Sequence, residues 1–148
     1  MNPFDWKTVL LARHAQHVVL IHFPIALFLV AVAVDLLALW AKKEFLSQVA
    51  YTNLTLAAAS AVPTVLTGLA AWQWQLEGQR LKGILLYHLL AGSAAALSIW
   101  ASWWLRFRRK RATASAASGK LALALELLGA AFLVVAGHLG GFLTGVNS

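Results

Sequence analysis

The residues of this sequence with the most chemistry to offer are its histidines, three of which fall inside long apolar runs: His22, His88 and His138. An ionisable side chain in such a run is costly enough that its position is the first place to look for function. Counted from the ends of their runs at ~1.5 Å per residue, the three lie ~6 to 10 Å below one membrane surface, on three different helices. Neutral imidazole is a good ligand for haem iron, and two of them give a low-spin centre suited to electron transfer rather than to oxygen binding. The chain has no Cys, which excludes disulfides, thiolate metal sites, iron-sulfur ligation and covalent c-type haem attachment. Any metal must be held by His, Asp or Glu.

In an up-and-down four-helix bundle, the helices carrying His22 and His88 are diagonal neighbours, so these two side chains are expected to meet across the centre and ligate one haem b. A porphyrin needs flat space beside its ligands. Gly92, Ala95 and Ala96 follow His88 around its helix, Ala26 and Ala33 follow His22, and Gly137, Gly141 and Gly145 form a small stripe beside His138. His138 or His17 then serves a second haem or hydrogen-bonds the first. His17 and His22 are five residues apart, ~140° around a helix, and so do not share one metal unless Pro24 has reshaped the turn. His14 and His17 sit at the interface, where solvent or headgroup contact is the alternative. Plainer readings stand beside these: a membrane histidine also serves as a hydrogen-bonded helix contact, and a glycine stripe also serves close helix packing. Asp35 and Glu126, near the other ends of their spans, suit either a proton path to an inner quinone site or pairing with Lys42, Lys43, Lys120 or a backbone group.

The elements that must position these residues follow from composition. A chain of 148 residues that is 61% hydrophobic and 11% charged carries more apolar side chains than a soluble domain of that size can bury, so the surplus faces lipid. The expected class is all-α, a single integral-membrane four-helix bundle with spans at about 18–40, 49–72, 83–105 and 121–145. The first run is too long and too basic at its flank for a cleaved signal peptide and reads as a retained helix. Asn2, Pro3 and Asp5 suit the start of a short interfacial helix over residues 3 to about 15. Pro24 frees the carbonyl of Leu20, and Pro63 and Gly68 are tolerable where neighbouring helices cover the backbone.

The net charge of +7 comes from twelve Lys and Arg confined to helix ends and loops, which fits orientation and anionic lipid, not nucleic acid. The first and third loops hold eight of these and the N-terminus and second loop four, so the basic loops are expected inside and both termini in the periplasm. Trp72 and Trp74 then mark the outer interface, and Trp40, Trp100, Trp103 and Trp104 the inner one. The run from Arg106 to Arg111 reads as topology signal and lipid contact. Gly-rich phosphate loops, HExxH and nucleophile elbows are missing.

The stretch His17-Val-Val-Leu-Ile-His22-Phe23-Pro24-Ile25-Ala26-Leu27, with Gly137-His-Leu-Gly140-Gly141 in the last span, resembles a bacterial family of four-helix membrane proteins of unassigned function. The resemblance covers essentially the whole chain; its His-Phe-Pro element is the specific part. In that family the first helix reads His-Pro, a few apolar residues, then His-Phe-Pro-Ile, and some members look fused to Rieske or cytochrome c domains. The resemblance implies a redox role in the bacterial inner membrane and matches His17, His22 and His88 to the family's recurrent histidines. Val18 stands where the family has proline, and Phe-Leu-Thr-Gly follows Gly141 in place of an acidic, tyrosine-containing tail.

Three expectations follow. One is a b-type cytochrome-like subunit of a larger redox complex, passing electrons between a periplasmic cytochrome or iron-sulfur partner and quinone. The second is a cofactor-free accessory subunit that packs against a membrane complex through its alanine and glycine faces. The third is a small transporter or metal-handling protein, disfavoured because only the second span carries a helix break near mid-membrane.

Overall fold

The computed structural model describes residues 13–75, 78, 80–111 and 116–144. These form four helices: α1 (Arg13–Ala41), α2 (Glu44–Gln75), α3 (Gly83–Arg111) and α4 (Ala116–Leu143). Each exceeds its expected apolar span, and each is long and apolar enough to cross a membrane. The short helix expected before residue 15 lies outside the described residues for most of its length. Lys42 ends α1 in a left-handed conformation, φ 54°, and the Leu46 amide donates to the Lys43 carbonyl at 3.2 Å. That turn is too tight for anything but an antiparallel hairpin.

α1 packs along α2 and α3 along α4, and the two hairpins meet along the α2/α3 and α1/α4 seams. Helices α1 and α3 are therefore diagonal, as the short loops require. Only 22 to 28% of the most apolar window of each helix is buried within the bundle. The remainder, including Leu37, Leu66, Leu97 and Val134, is a surface for lipid or for partners. The core gathers Phe28, Val32, Leu54, Ile99 and Leu133 with Ala31, Ala57, Ala58 and Ala95. Alanine at these contacts lets the backbones approach, which is how helices gain contact in a solvent as apolar as their side chains.

Pro24 lies within α1 and Pro63 within α2. The carbonyl that Pro24 releases, that of Leu20, accepts a bond from Thr64 Oγ1 on α2 at 3.2 Å, shared with the Ser60 carbonyl at 2.9 Å. A neighbouring helix thus satisfies the freed acceptor. Trp100 does not join an interfacial belt. Its Nε1 donates to the Ala58 carbonyl at 2.9 Å, pinning α3 to α2. Trp103 is also turned inward, with its Nε1 buried, and stacks on Phe107 at 5.4 Å. Among the described residues, Trp40, Trp74 and Trp104 are the exposed tryptophans at the bundle ends.

Candidate functional site

The two ends of the bundle carry different chemistry. At the end where α1 begins, His17 lies between α1 and α2, its Nδ1 3.1 Å from the Thr64 carbonyl and 3.3 Å from Thr67 Oγ1. Its ring rests on Gly68, where a Cβ would come within 2.8 Å of His17 Cε1. His88 repeats the arrangement between α3 and α4: Nδ1 is 2.9 Å from the Ala136 carbonyl, and the ring rests on Gly140, where a Cβ would lie 3.2 Å from Cε1. In both cases the glycine is four residues after the carbonyl, so the ring spans one helical turn of its neighbour.

A carbonyl oxygen only accepts, so Nδ1 carries the proton in both rings and the lone pair resides on Nε2. The Nδ1 of His22 faces a carbonyl too, that of Val18 on its own helix at 2.7 Å. His22 and His138 are both exposed, and His138 sets its edge on Phe142 at a centroid distance of 5.1 Å.

Helix rotation decides which histidines face inward. About five whole turns separate His17 from Asp35, and about five separate His88 from Arg106, so each pair shares a face. Those faces also carry Phe28 and Ile99, both buried. His22 lies well over a right angle around α1 from that face, and Ala26 and Ala33 beside it are exposed. Because Asp35 and Arg106 are in contact and both helices rise ~1.5 Å per residue, His17 and His88 stand level, with His22 ~7 Å deeper. The equal depth expected of His22 and His88 is therefore a property of His17 and His88. It was misjudged because α1 continues as helix beyond its apolar run. The structure aligns His17 and His88 on inward faces and does not aim His22 or His138 between the helices.

The opposite end holds a buried charge cluster. Arg106 of α3 is not turned to lipid headgroups: its guanidinium NH2 donates to Asp35 Oδ2 of α1, and its Nε lies 2.8 Å from Glu126 Oε1 of α4. The second contact is a charge approach without hydrogen-bond alignment, and both Glu126 oxygens lack a hydrogen-bond partner. Asp35 and Glu126 thus pair with Arg106 in preference to Lys42, Lys43 or Lys120. The reason is reach: Lys42 and Lys43 follow the end of α1 and are exposed, whereas Arg106 is a full turn inside α3 on its inward face.

The family model described as Predicted membrane protein (DUF2231) matches residues 13–146, which takes in all four helices, the two inward histidines and the charge cluster. The chain belongs to the DUF2231 family. No curated protein and no solved structure matches it. Within this DUF2231 protein, no group of three or more His, Asp or Glu side chains converges as a metal-ion site among the described residues. A haem iron asks for less, one or two imidazoles, and the Nδ1 bond to a carbonyl seen at His17 and His88 is the anchoring that metal-bound histidines use. Gly92, one turn along α3 from His88, has open space where a Cβ would be. In the anticipated stripe of Gly137, Gly141 and Gly145, Gly137 is exposed with nothing within 4 Å of its Cβ position, and Gly145 lies outside the described residues. Gly140 is the glycine that makes contact.

The basic run from Arg106 to Arg111 masked the inward role of Arg106. One signal was available. Asp35 and Arg106 are 71 residues apart, and so are His17 and His88, which places both pairs at matching positions of the two hairpins.

Proposed function

We propose that this protein is a membrane-embedded, b-type cytochrome-like electron-transfer subunit. The observation that carries the reading is the pair of level, inward-facing imidazoles, one per hairpin, each held with its lone pair on Nε2. His88 and, on the diagonal helix, His17 are the ligands of this reading. His22 and His138 face outward, where they would serve a second haem only at a contact with a partner. When bound, the haem b supplies reversible one-electron chemistry. The chain's own residues fix the imidazole planes through Thr64 and Ala136 and exclude water with the alanine-rich core. Lys42, Lys43, Arg108 and Arg109 are exposed at the far end, so that end faces the cytoplasm and the histidine end the periplasm of a bacterial inner membrane. Electrons would then come from a periplasmic cytochrome or iron-sulfur partner and leave toward quinone.

The test is a dithionite-minus-oxidised spectrum with pyridine haemochrome quantitation. Haem b in the wild type, lost in His88→Ala and in Gly92→Leu, is the expected result. Gly92→Leu fills the open space one turn along α3 from His88. A well-assembled, colourless protein would overturn the reading.

A second reading, a cofactor-free accessory subunit, is favoured by a different observation. The Nδ1 bonds of His17 and His88 each tie two helices together, which is a sufficient structural role for a membrane histidine. It predicts that assembly into a larger complex survives His17→Gln and His88→Gln.

A further inference from the structure

The charge cluster at the end remote from the histidines has a composition that structural pairing alone does not explain. Asp35 and Glu126 bring two negative charges and Arg106 one positive, all within the low-dielectric part of the bundle, so one negative charge is left over. A buried ion pair that is not electrically complete costs far more than one that is. The two carboxylates are not held alike. Asp35 receives a hydrogen bond from Arg106, whereas Glu126, 1% exposed, has Arg106 Nε near one oxygen and no hydrogen-bond donor to either. Beside Arg106 on the same helix, Ser102 Oγ and Trp103 Nε1 are buried and also lack partners. Four helices surround this level, and the charged groups that they present among the described residues are Asp35 from α1, Arg106 from α3 and Glu126 from α4. Helix α2 brings Leu54, with Tyr51 its nearest titratable residue.

We propose that Glu126 is a proton-exchange site at this end of the membrane. A hydronium ion arriving from the aqueous side gives its proton to a Glu126 carboxylate oxygen, leaving water and a neutral carboxyl, and the cluster becomes electrically complete. The route runs past Arg106 and Asp35, whose side chains are 12% and 10% exposed while that of Glu126 is 1% exposed. The occupant is a proton and not a quinone head group or a hydrated cation, because Glu126 and Ser102 are sealed to 1% and 0%. This site does not rest on the histidines or on haem.

The experiment is infrared spectroscopy of the full chain in liposomes, in H2O and D2O. The wild type should show a protonated-carboxyl C=O band that shifts down in D2O and whose amplitude follows bulk pH. Glu126→Gln should abolish it, Glu126→Asp should retain it at a changed frequency, and the exposed Glu44→Gln should leave it unaltered. Arg106→Gln, which removes the compensating charge, should raise its amplitude about twofold as Asp35 also takes a proton. A wild type without the band, a band that survives Glu126→Gln, or a band indifferent to D2O and pH would each overturn the proposal.

Discussion

The α1/α2 and α3/α4 hairpins are two versions of one design, and their differences account for most of the chemistry. Position for position, His17 corresponds to His88, Phe28 to Ile99, Ala50 to Ala122, Gly68 to Gly140 and Leu54 to Glu126. Phe28, Ile99, Ala50, Ala122, Leu54 and Glu126 are all buried to 2% or less. The same relation matches Asp35 with Arg106, which touch. Parallel repeats about an axis along the membrane normal are a common plan among membrane proteins. The symmetric positions set the packing and the imidazole anchors. The asymmetric ones, an Asp facing an Arg and a Glu where its counterpart is Leu, create the charge cluster. A duplicated packing plan thus supplies two equal histidine seats, and only departures from it supply a buried charge.

The largest expected effect breaks that asymmetry. Arg106→Leu leaves the buried Asp35 and Glu126 carboxyl groups without their cation and should destabilise the protein by about 3 to 5 kcal/mol, whereas replacing Asp35, Arg106 and Glu126 together by Leu should return most of that loss. Unfolding by SDS in mixed micelles measures both; equal losses in the single and triple variants would show that the charges themselves are not the issue.

Next comes the point where the hairpins lock. At Gly129 a Cβ would lie 2.8 Å from Ser98 Cβ and 3.1 Å from Phe28 Cζ, so Gly129→Ala should cost about 1 to 3 kcal/mol by overpacking. At the matching position of the first hairpin the residue is already Ala57, and Ala57→Gly should cost no more than about 1 kcal/mol. The same micelle titration compares the two; a harmless Gly129→Ala would mean that the α1, α3 and α4 contact gives way.

A smaller contrast sharpens the histidine seats. Gly68→Ala should be about 1 kcal/mol worse than Gly140→Ala, because its Cβ would press harder on the imidazole ring, 2.8 Å against 3.2 Å. The smallest effect tests equivalence itself. His17→Ala and His88→Ala each remove one imidazole's bonding to a neighbouring helix carbonyl and should each cost roughly 0.6 to 1 kcal/mol, with the Thr67 contact making His17→Ala the upper of the two. A difference beyond that range would mean that one seat is structural and the other is not.

Much of this molecule was legible in its residues. Four apolar runs with short basic or polar joints fix an antiparallel bundle, and Pro24 announced a free carbonyl at Leu20, although nothing local pointed to Thr64 as the group that takes it. Trp100 and Trp103 read as belt residues because they lie near a helix end, and only their rotation turns them inward. Arg106 opens a basic run whose later members, Arg108 and Arg109, are exposed. It differs from them by its side of α3. His22 drew attention as a histidine within an apolar run and is exposed, while His17, for which solvent or headgroup contact was the alternative, lies between α1 and α2.

The residue order by itself determined the spans, their alternation, the exclusion of cysteine chemistry and the membrane as solvent, because hydropathy and length suffice for those. The tertiary structure decided which side of each helix faces its neighbours, and hence which histidines and charges meet. In a soluble protein an apolar stripe opposite a polar one would have shown the inward face. Here lipid is as apolar as the core, so all sides of a span look alike in sequence, and helix rotation is set by alanine contacts, glycine seats and a few hydrogen bonds that only the folded bundle brings together.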